Sequence, residues 1–262
     1  MNVLVTGASG QLGVAIKSIS HHYDKHFQMT FLTKLDLDIT NHKSVARLFK
    51  NNNFDYCINC AAFTNVELAE STPDLAYEIN HDAVKNLALV CKQNEVILVH
   101  ISTDYVFDGN KSKPYTVDDT PSPINIYGDS KLKGEKAIQE LMHSYFIIRT
   151  SWLFNKSSGK NFYRTILNKA INHEAIRVVD NQKSCPTDCD SLAKFILDGI
   201  KNASNKWGIH HFSGKTPMTW YAFAIQILKE NNLLKSTDVS IDNNYVTFAK
   251  RPKYSVLENT VI

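Results

Sequence analysis

The first nineteen residues restrict the fold more than any other stretch of the chain. Val3, Leu4 and Val5 form a short apolar run within Asn2–Thr6, as expected of a strand buried on both faces. Gly7-Ala-Ser-Gly10-Gln-Leu-Gly13 follows at once, and an amphipathic stretch then runs through Ile19. Strand, glycine-rich turn and helix in that order predict a dinucleotide-binding βα unit. Gly7 would permit the tight turn, and Gly10 would let a pyrophosphate approach the backbone. Gly13 would let the helix pack closely on the sheet, with its N-terminus facing the phosphates. The spacing is G-x-x-G-x-x-G, whereas many dehydrogenases have G-x-G-x-x-G.

Strand-like runs recur at 3–6, 29–32, 55–59, 96–102, 145–149 and 176–179, and helical patterns at 12–20, 42–50, 74–93, 131–142 and 162–172 separate them. This alternation predicts an α/β fold: a Rossmann-type, doubly wound parallel sheet. In the usual order 3-2-1-4-5-6, strands one and four meet at the topological switch point, which would bring Thr103 to the nicotinamide end of a cofactor. Beyond residue 150 the alternation weakens, and Trp152, Trp207 and Trp220 all fall there. We therefore expect residues 1–150 to bind the cofactor and residues 151–262 to form mainly a smaller substrate-binding lobe, with a strand near 176–179 returning to the main sheet.

Tyr127 and Lys131 lie four residues apart, so on a helix they share one face. A cation beside a phenol lowers its pKa and lets it exchange protons near neutrality. The pair acquires meaning beside a nicotinamide site. An NAD-selective site places an acid at the end of the second strand, but Thr33-Lys34 stands there, which favours the 2′-phosphate of NADPH over NADH. Asp36, two residues on, weakens that preference.

A chain of 262 residues with a formal charge of +3 and no long basic run is a poor candidate for nucleic acid binding. It has no apolar run of membrane-spanning length and opens directly on its first strand, which predicts a cytoplasmic protein with no membrane association. Its five cysteines include Cys57 and Cys60 at C-x-x-C spacing, but within an apolar strand. They read as small buried residues, with neither a disulfide framework nor a metal site.

With the glycine turn, Ser102-Thr103 and Tyr127-x-x-x-Lys131 in place, the chain resembles the extended short-chain dehydrogenase/reductases and, within them, the dTDP-4-dehydrorhamnose reductase family. Ser102-Thr-Asp-Tyr-Val-Phe-Asp-Gly109, Arg149-Thr-Ser-Trp152, Asn59-Cys-Ala-Ala62, Asn161-Phe162 and Arg251-Pro252 carry the likeness along nearly the whole chain. The resemblance implies NADPH-dependent reduction of the C4 carbonyl of a nucleotide 4-keto-6-deoxysugar. Tyr127 would donate the proton, Lys131 would bind the nicotinamide ribose, and Thr103 would hydrogen-bond the substrate oxygen. Gly10, Gln11 and Leu12 would line the pyrophosphate, and Asp38 and Ile39 the adenine. Ala61, Ala62, Phe63 and Thr64 would cover the cofactor, while Asp104 and Trp152 would contact the sugar.

Asp104 is followed by Tyr105, so the Asp-Glu pair of the related 4,6-dehydratases is missing, as is the small-residue string of the 4-epimerases. Four departures touch the sugar and nucleotide more than the redox centre. Ser184 replaces a glycine, Tyr254 replaces an asparagine, and Ala15 stands where some relatives have a glutamate that helps hold Mg²⁺ at a dimer interface. The sequence also ends at Ile262, where relatives continue into a further helix. Two alternatives follow: reduction of another nucleotide sugar, and a non-catalytic NADP-binding subunit resembling the β-subunit of methionine adenosyltransferase.

Overall fold

The computed structural model describes residues 1–202 and 205–262. Five strands, β1 (Asn2–Thr6), β2 (Gln28–Leu32), β3 (Tyr56–Asn59), β4 (Ile97–Thr103) and β5 (Tyr145–Thr150), join the strand Gly208–His211 in one parallel sheet. The order across it is β2-β1-β3-β4-β5 and then Gly208–His211.

This corrects the expected order. β1 lies between β2 and β3, so it does not adjoin β4, and the switch point falls between β1 and β3. The signal was present in the residues. All four positions of β3 are buried, as a central strand requires, whereas β2 alternates exposed and half-buried positions, as an edge strand does. A second correction concerns 176–179. Ile176–Val178 pairs with Val239–Ile241 in a separate two-stranded sheet, and Gly208–His211 takes the outer place beside β5.

Alternating side chains of the central strands feed two apolar layers. Val3, Val5, Ile58, Val99 and Ile148 face helices α1 (Gln11–Ile19) and Cys189–Lys201. Leu4, Cys57, Leu98 and Ile147 face the other side, under Val45, Phe49, Leu87 and Ile138. Ala15, at the position where some relatives carry glutamate, is buried in the first layer. A third cluster, with Phe154, Tyr163, Ile166, Ile176, Phe223 and Ile227, packs Phe162–Ile171 against Trp220–Glu230. The helix expected over 74–93 is broken by a π-helical turn at Glu78–Asp82, between Pro73–Tyr77 and Ala83–Gln93. The carbonyl of Asn80 in that turn meets the helix Ile126–Leu141 where Gly134 leaves room; a Cβ there would sit 2.2 Å from it. Among the described residues no helix is long and apolar enough to cross a membrane.

Candidate active site

Most helices near the site begin at a side-chain cap. Asn41, Asn65, Asn125, Asn161, Asp188 and Thr219 each accept a backbone N–H from the first turn that follows, worth about 1 kcal/mol apiece. Helix α1 differs: it starts at Gly10, which has no side chain to cap it. Its first-turn N–H groups therefore suit a ligand anion. Gly7 holds φ +63°, and a Cβ on it would fall 2.6 Å from the backbone nitrogen of Ala61. Gly13 is needed for a different contact from the one expected. Its Cβ would strike Ala8 and Gly7 of the turn itself, at 2.6 and 2.7 Å, and not the sheet.

A cavity of about 640 Å³ opens above this turn. It brings together Gly10, Gln11, Leu12, Gly13, Ala62, Thr64, Thr103, Asp104, Tyr127, Lys131 and Trp152 from the sequence-based set. Gly7, Thr33, Lys34, Asp38, Ile39, Ala61 and Phe63 are not on its wall. Thr33 and Lys34 engage acids of their own segment: the Thr33 hydroxyl donates to Asp36 (2.7 Å), and Lys34 lies 3.7 Å from Asp38. Asp38 also accepts the backbone N–H and hydroxyl of Thr40. The following helix is capped by Asn41, not Asp38. Ile39 is buried. Phe63 is held from behind, since its N–H donates to Asn80 Oδ1 (2.9 Å) and its carbonyl accepts from Asn80 Nδ2 (3.0 Å).

Tyr127 and Lys131 both lie on Ile126–Leu141. The Tyr127 phenol shares the cavity wall with the Thr103 hydroxyl at the end of β4. Thr103 Oγ1 also accepts the Tyr105 N–H (3.1 Å) and donates to Asp104 (3.2 Å). Burial raises the Tyr127 pKa to about 12, opposed by the neighbouring Thr103 hydroxyl and reinforced by the nearby Asp104. The lowered phenol pKa expected from a neighbouring ammonium is thus absent here. The Lys131 nitrogen turns into the sheet, 2.7 Å from the Ile101 carbonyl and 3.1 Å from His100 Nε2. Burial lowers its pKa to about 8.

Asp104 is buried, and desolvation raises its pKa to about 7 against hydrogen bonds from Ser255 (2.5 Å), Thr103 and Ser184. Ser184, the residue standing in for glycine, therefore places its hydroxyl on this carboxyl. The sign follows from linkage. The folded-state pKa lies above the unfolded one, so stability is full below about pH 4 and declines as pH rises through about 7. Asp104→Asn should remove that component. Its urea stability should fall less than that of the parent between pH 4 and 8, by a few kcal/mol; parallel pH profiles would refute the buried-carboxyl account.

Trp152 holds φ +46°, a left-handed backbone that costs a tryptophan on the order of 1–3 kcal/mol. The strain presents its ring to the cavity, stacked on Trp220 with centroids 3.5 Å apart. Beyond this stack a second cavity of about 700 Å³ shares Thr64, Lys160, Asn161, Phe162 and Trp220 with the first. Lys169, Arg177, Tyr245 and Arg251 line it. Glu67 holds this wall: it binds the Arg251 guanidinium (2.8 Å) and accepts the N–H groups of Phe248 and Ala249. Gln11 joins the two parts of the chain, accepting from Asn155 N (3.1 Å) and Asn161 Nδ2 (2.7 Å). The motif strings pointed at Asn161 and Arg251 without giving them roles. Asn80 and Trp220 carried no local pattern at all, since each acts only across the fold.

Comparison with known proteins adds to this geometry. Residues 1–262 match the family described as the RmlD substrate binding domain. A dTDP-4-dehydrorhamnose reductase of Aggregatibacter actinomycetemcomitans is 36% identical over 270 residues, spanning 99% of this chain and 91% of that one. The spore coat polysaccharide biosynthesis protein SpsK of Bacillus subtilis (strain 168) is 37% identical, over 99% of this chain and 90% of its own length. The crystal structure of dTDP-4-dehydrorhamnose reductase from Bacillus anthracis str. Ames in complex with NADP superposes with a TM-score of 0.93 at 34% identity, covering 99% of this chain and 90% of that one.

Proposed function

Because the chain belongs to the RmlD substrate binding domain family, we propose that it is an NADPH-dependent oxidoreductase that reduces the C4 carbonyl of dTDP-4-dehydro-L-rhamnose to give dTDP-L-rhamnose for polysaccharide synthesis. The observation that carries this reading is that Thr103, Tyr127 and Lys131 come together on the wall of a cavity that begins at an uncapped helix N-terminus. Residues 1–150 serve mainly the cofactor and 151–262 mainly the sugar nucleotide. Five free cysteines suit a reducing, cytoplasmic setting.

The residues present fit NADPH. The glycine turn leaves backbone free for a pyrophosphate, and the wall runs on through Ala62 and Thr64 to Tyr127 and Lys131. Ala61 and Phe63 shape that wall through their backbones, and Thr33, Lys34, Asp38 and Ile39 serve the adenosine end. The cofactor, when bound, supplies the hydride for the carbonyl carbon. Thr103 and Tyr127 orient the carbonyl oxygen, and Tyr127 gives it the proton that completes the alcohol. Their hydrogen bonds strengthen as negative charge builds on that oxygen, so they favour the transition state over the ketone. Lys131 holds the nicotinamide ribose. Asp104 and the Trp152–Trp220 stack seat the sugar ring, and the cationic second cavity takes the diphosphate.

The test is NADPH oxidation by the purified protein with dTDP-4-dehydro-L-rhamnose, with product identification. Formation of dTDP-L-rhamnose is expected; tight NADPH binding without turnover on this sugar would defeat the substrate assignment. NADH run in parallel is expected to be the poorer donor. Lys34→Ala should narrow that preference by about fivefold, since one exposed charge on a phosphate is worth roughly 1 kcal/mol. An unchanged ratio would remove Lys34 from the 2′-phosphate site.

A further inference from the structure

The helix Ile126–Leu141 starts one residue before Tyr127, and its first turn is tied to distant parts of the chain. Asn125, 7% exposed, accepts the Gly128 N–H (2.7 Å) and donates to the Lys250 carbonyl (2.8 Å). A backbone N–H only donates and a carbonyl only accepts, so two independent contacts fix which way this amide points. Glu70 accepts the Ile126 N–H (2.7 Å). On its inner side the turn already meets the Tyr105 carbonyl, 2.1 Å from where a Gly128 Cβ would stand.

Lys250 belongs to a strap, residues 242–251, from which Tyr245 and Arg251 line the second cavity. At one end the Asp242 N–H donates to the Val178 carbonyl (2.9 Å). At the other, Glu67 binds Arg251 and accepts the N–H groups of Phe248 and Ala249. Between these ends the bonds are local, from the Asn244 N–H to Asp242 and from the Thr247 hydroxyl to the Ala249 carbonyl. Tyr245, Val246 and Phe248 are 56%, 88% and 76% exposed. A segment with so few buried contacts opens at little cost, and a ligand that binds only its closed form shifts it to that form. Arg251 has hydrogen-bonding capacity to spare, since its buried Nε has no partner among the described residues. A diphosphate in the second cavity would add a further hold on the strap.

From these contacts we propose that Asn125 is a positioning residue that links the strap to the first turn of the Tyr127 helix, so that a diphosphate held at Arg251 also fixes the proton donor. Binding energy from the part of the substrate that does not react thereby supports the geometry of proton transfer. The catalytic consequence rests on the reductase reading above; the link between strap and helix does not. Glu67 and Glu70 lie three residues apart on Val66–Ser71, on one face of that short helix, so a rival route from strap to turn runs through Glu70.

Amide hydrogen exchange on the ligand-free protein tests the link. Glu67→Ala frees the strap without altering Asn125, and should speed exchange in the first turn of the Tyr127 helix by about fivefold, the worth of one hydrogen bond. Asn125→Asp keeps an acceptor for the Gly128 N–H but offers the Lys250 carbonyl no donor. In that background Glu67→Ala should leave the turn unmoved. No response in the single variant, or a response that survives in the double variant and so runs through Glu70, would overturn the proposal. In the parent, saturating dTDP should slow the same amides; unchanged exchange with dTDP bound would overturn it too, whether or not Glu67→Ala folds. Kinetics test the consequence. Asn125→Asp should lower kcat for the nucleotide 4-ketosugar by about 10–100-fold with NADPH affinity kept, and should lower the rate on the same ketosugar without its nucleotide diphosphate far less. An equal fall on both sugars would mean that Asn125 only caps a helix, and the proposal would fail. Should dTDP not bind, or no nucleotide 4-ketosugar be reduced, the reductase reading fails while the exchange cycle still decides the link.

Discussion

Tyr127→Phe is expected to lower the rate of ketone reduction by about 10³-fold while leaving NADPH affinity nearly unchanged. Removing a positioned proton donor typically costs 10²–10⁴-fold, and two features of this site put the loss inside that range. Tyr127 and Thr103 line the same cavity, so on the proposed reading Phe removes the proton and also one of the two groups that would hold the carbonyl oxygen. Asp104, whose carboxyl is pushed up to about 7, lies close by, but its oxygens are engaged by Ser255, Ser184 and Thr103. It is therefore badly placed to substitute as the acid. Cofactor affinity should survive because the ring stays and the glycine turn is remote from the phenol. Single-turnover kinetics with NADPH fluorescence titration separate the two effects. A variant keeping a tenth or more of the parent rate would show that another group protonates the oxygen.

The parts of this site that could be read from the sequence are the parts built from local geometry. The turn at Gly7–Gly13 depends on residues adjacent in the chain, and Tyr127 and Lys131 depend on one helical turn. Both occur where their spacing requires. What failed depends on how elements are arranged in space. The place of β3 beside β1 is decided by which strand buries both faces, and a generic strand order overrode that signal in the residues. The strand at 176–178 was strand-like in its apolar alternation, but its partner, Val239–Ile241, lies some sixty residues away with no pattern to announce it. Electrostatics were the least legible. Proximity of Lys131 to Tyr127 on a helix face suggested a depressed phenol pKa, yet a side chain of four methylenes can turn. His100 and the Ile101 carbonyl take its nitrogen into the sheet, leaving burial to set the phenol.

The largest effect on stability should come from a buried pair that the sequence did not single out. Glu135 and Arg149 are 0% and 1% exposed. Arg149 Nε and Nη2 reach the two carboxylate oxygens at 3.0 and 2.7 Å, and the Ser102 hydroxyl donates to the same carboxylate. The guanidinium also lies over the Phe107 ring, 5.2 Å from its centroid, and within 3.5 Å of His211 Nε2. The pair need not be net stabilising, because desolvation offsets most of its attraction, but breaking it strands a charge in the interior. Glu135→Ala should therefore destabilise the fold by about 3–5 kcal/mol, against roughly 1 kcal/mol for an exposed pair such as Lys194–Asp198. Replacing both partners, Glu135→Leu with Arg149→Met, should recover a large part of that loss, since no charge is then left unpaired. Urea denaturation of the two single variants and the double variant measures the coupling directly. A double variant as unstable as the sum of the singles would mean that the cost lies in lost packing. Ser102 precedes Thr103, so a Glu135 variant that folds should also lose reductase activity through the displaced end of β4. That would tie the interior ion pair to the position of the substrate oxygen.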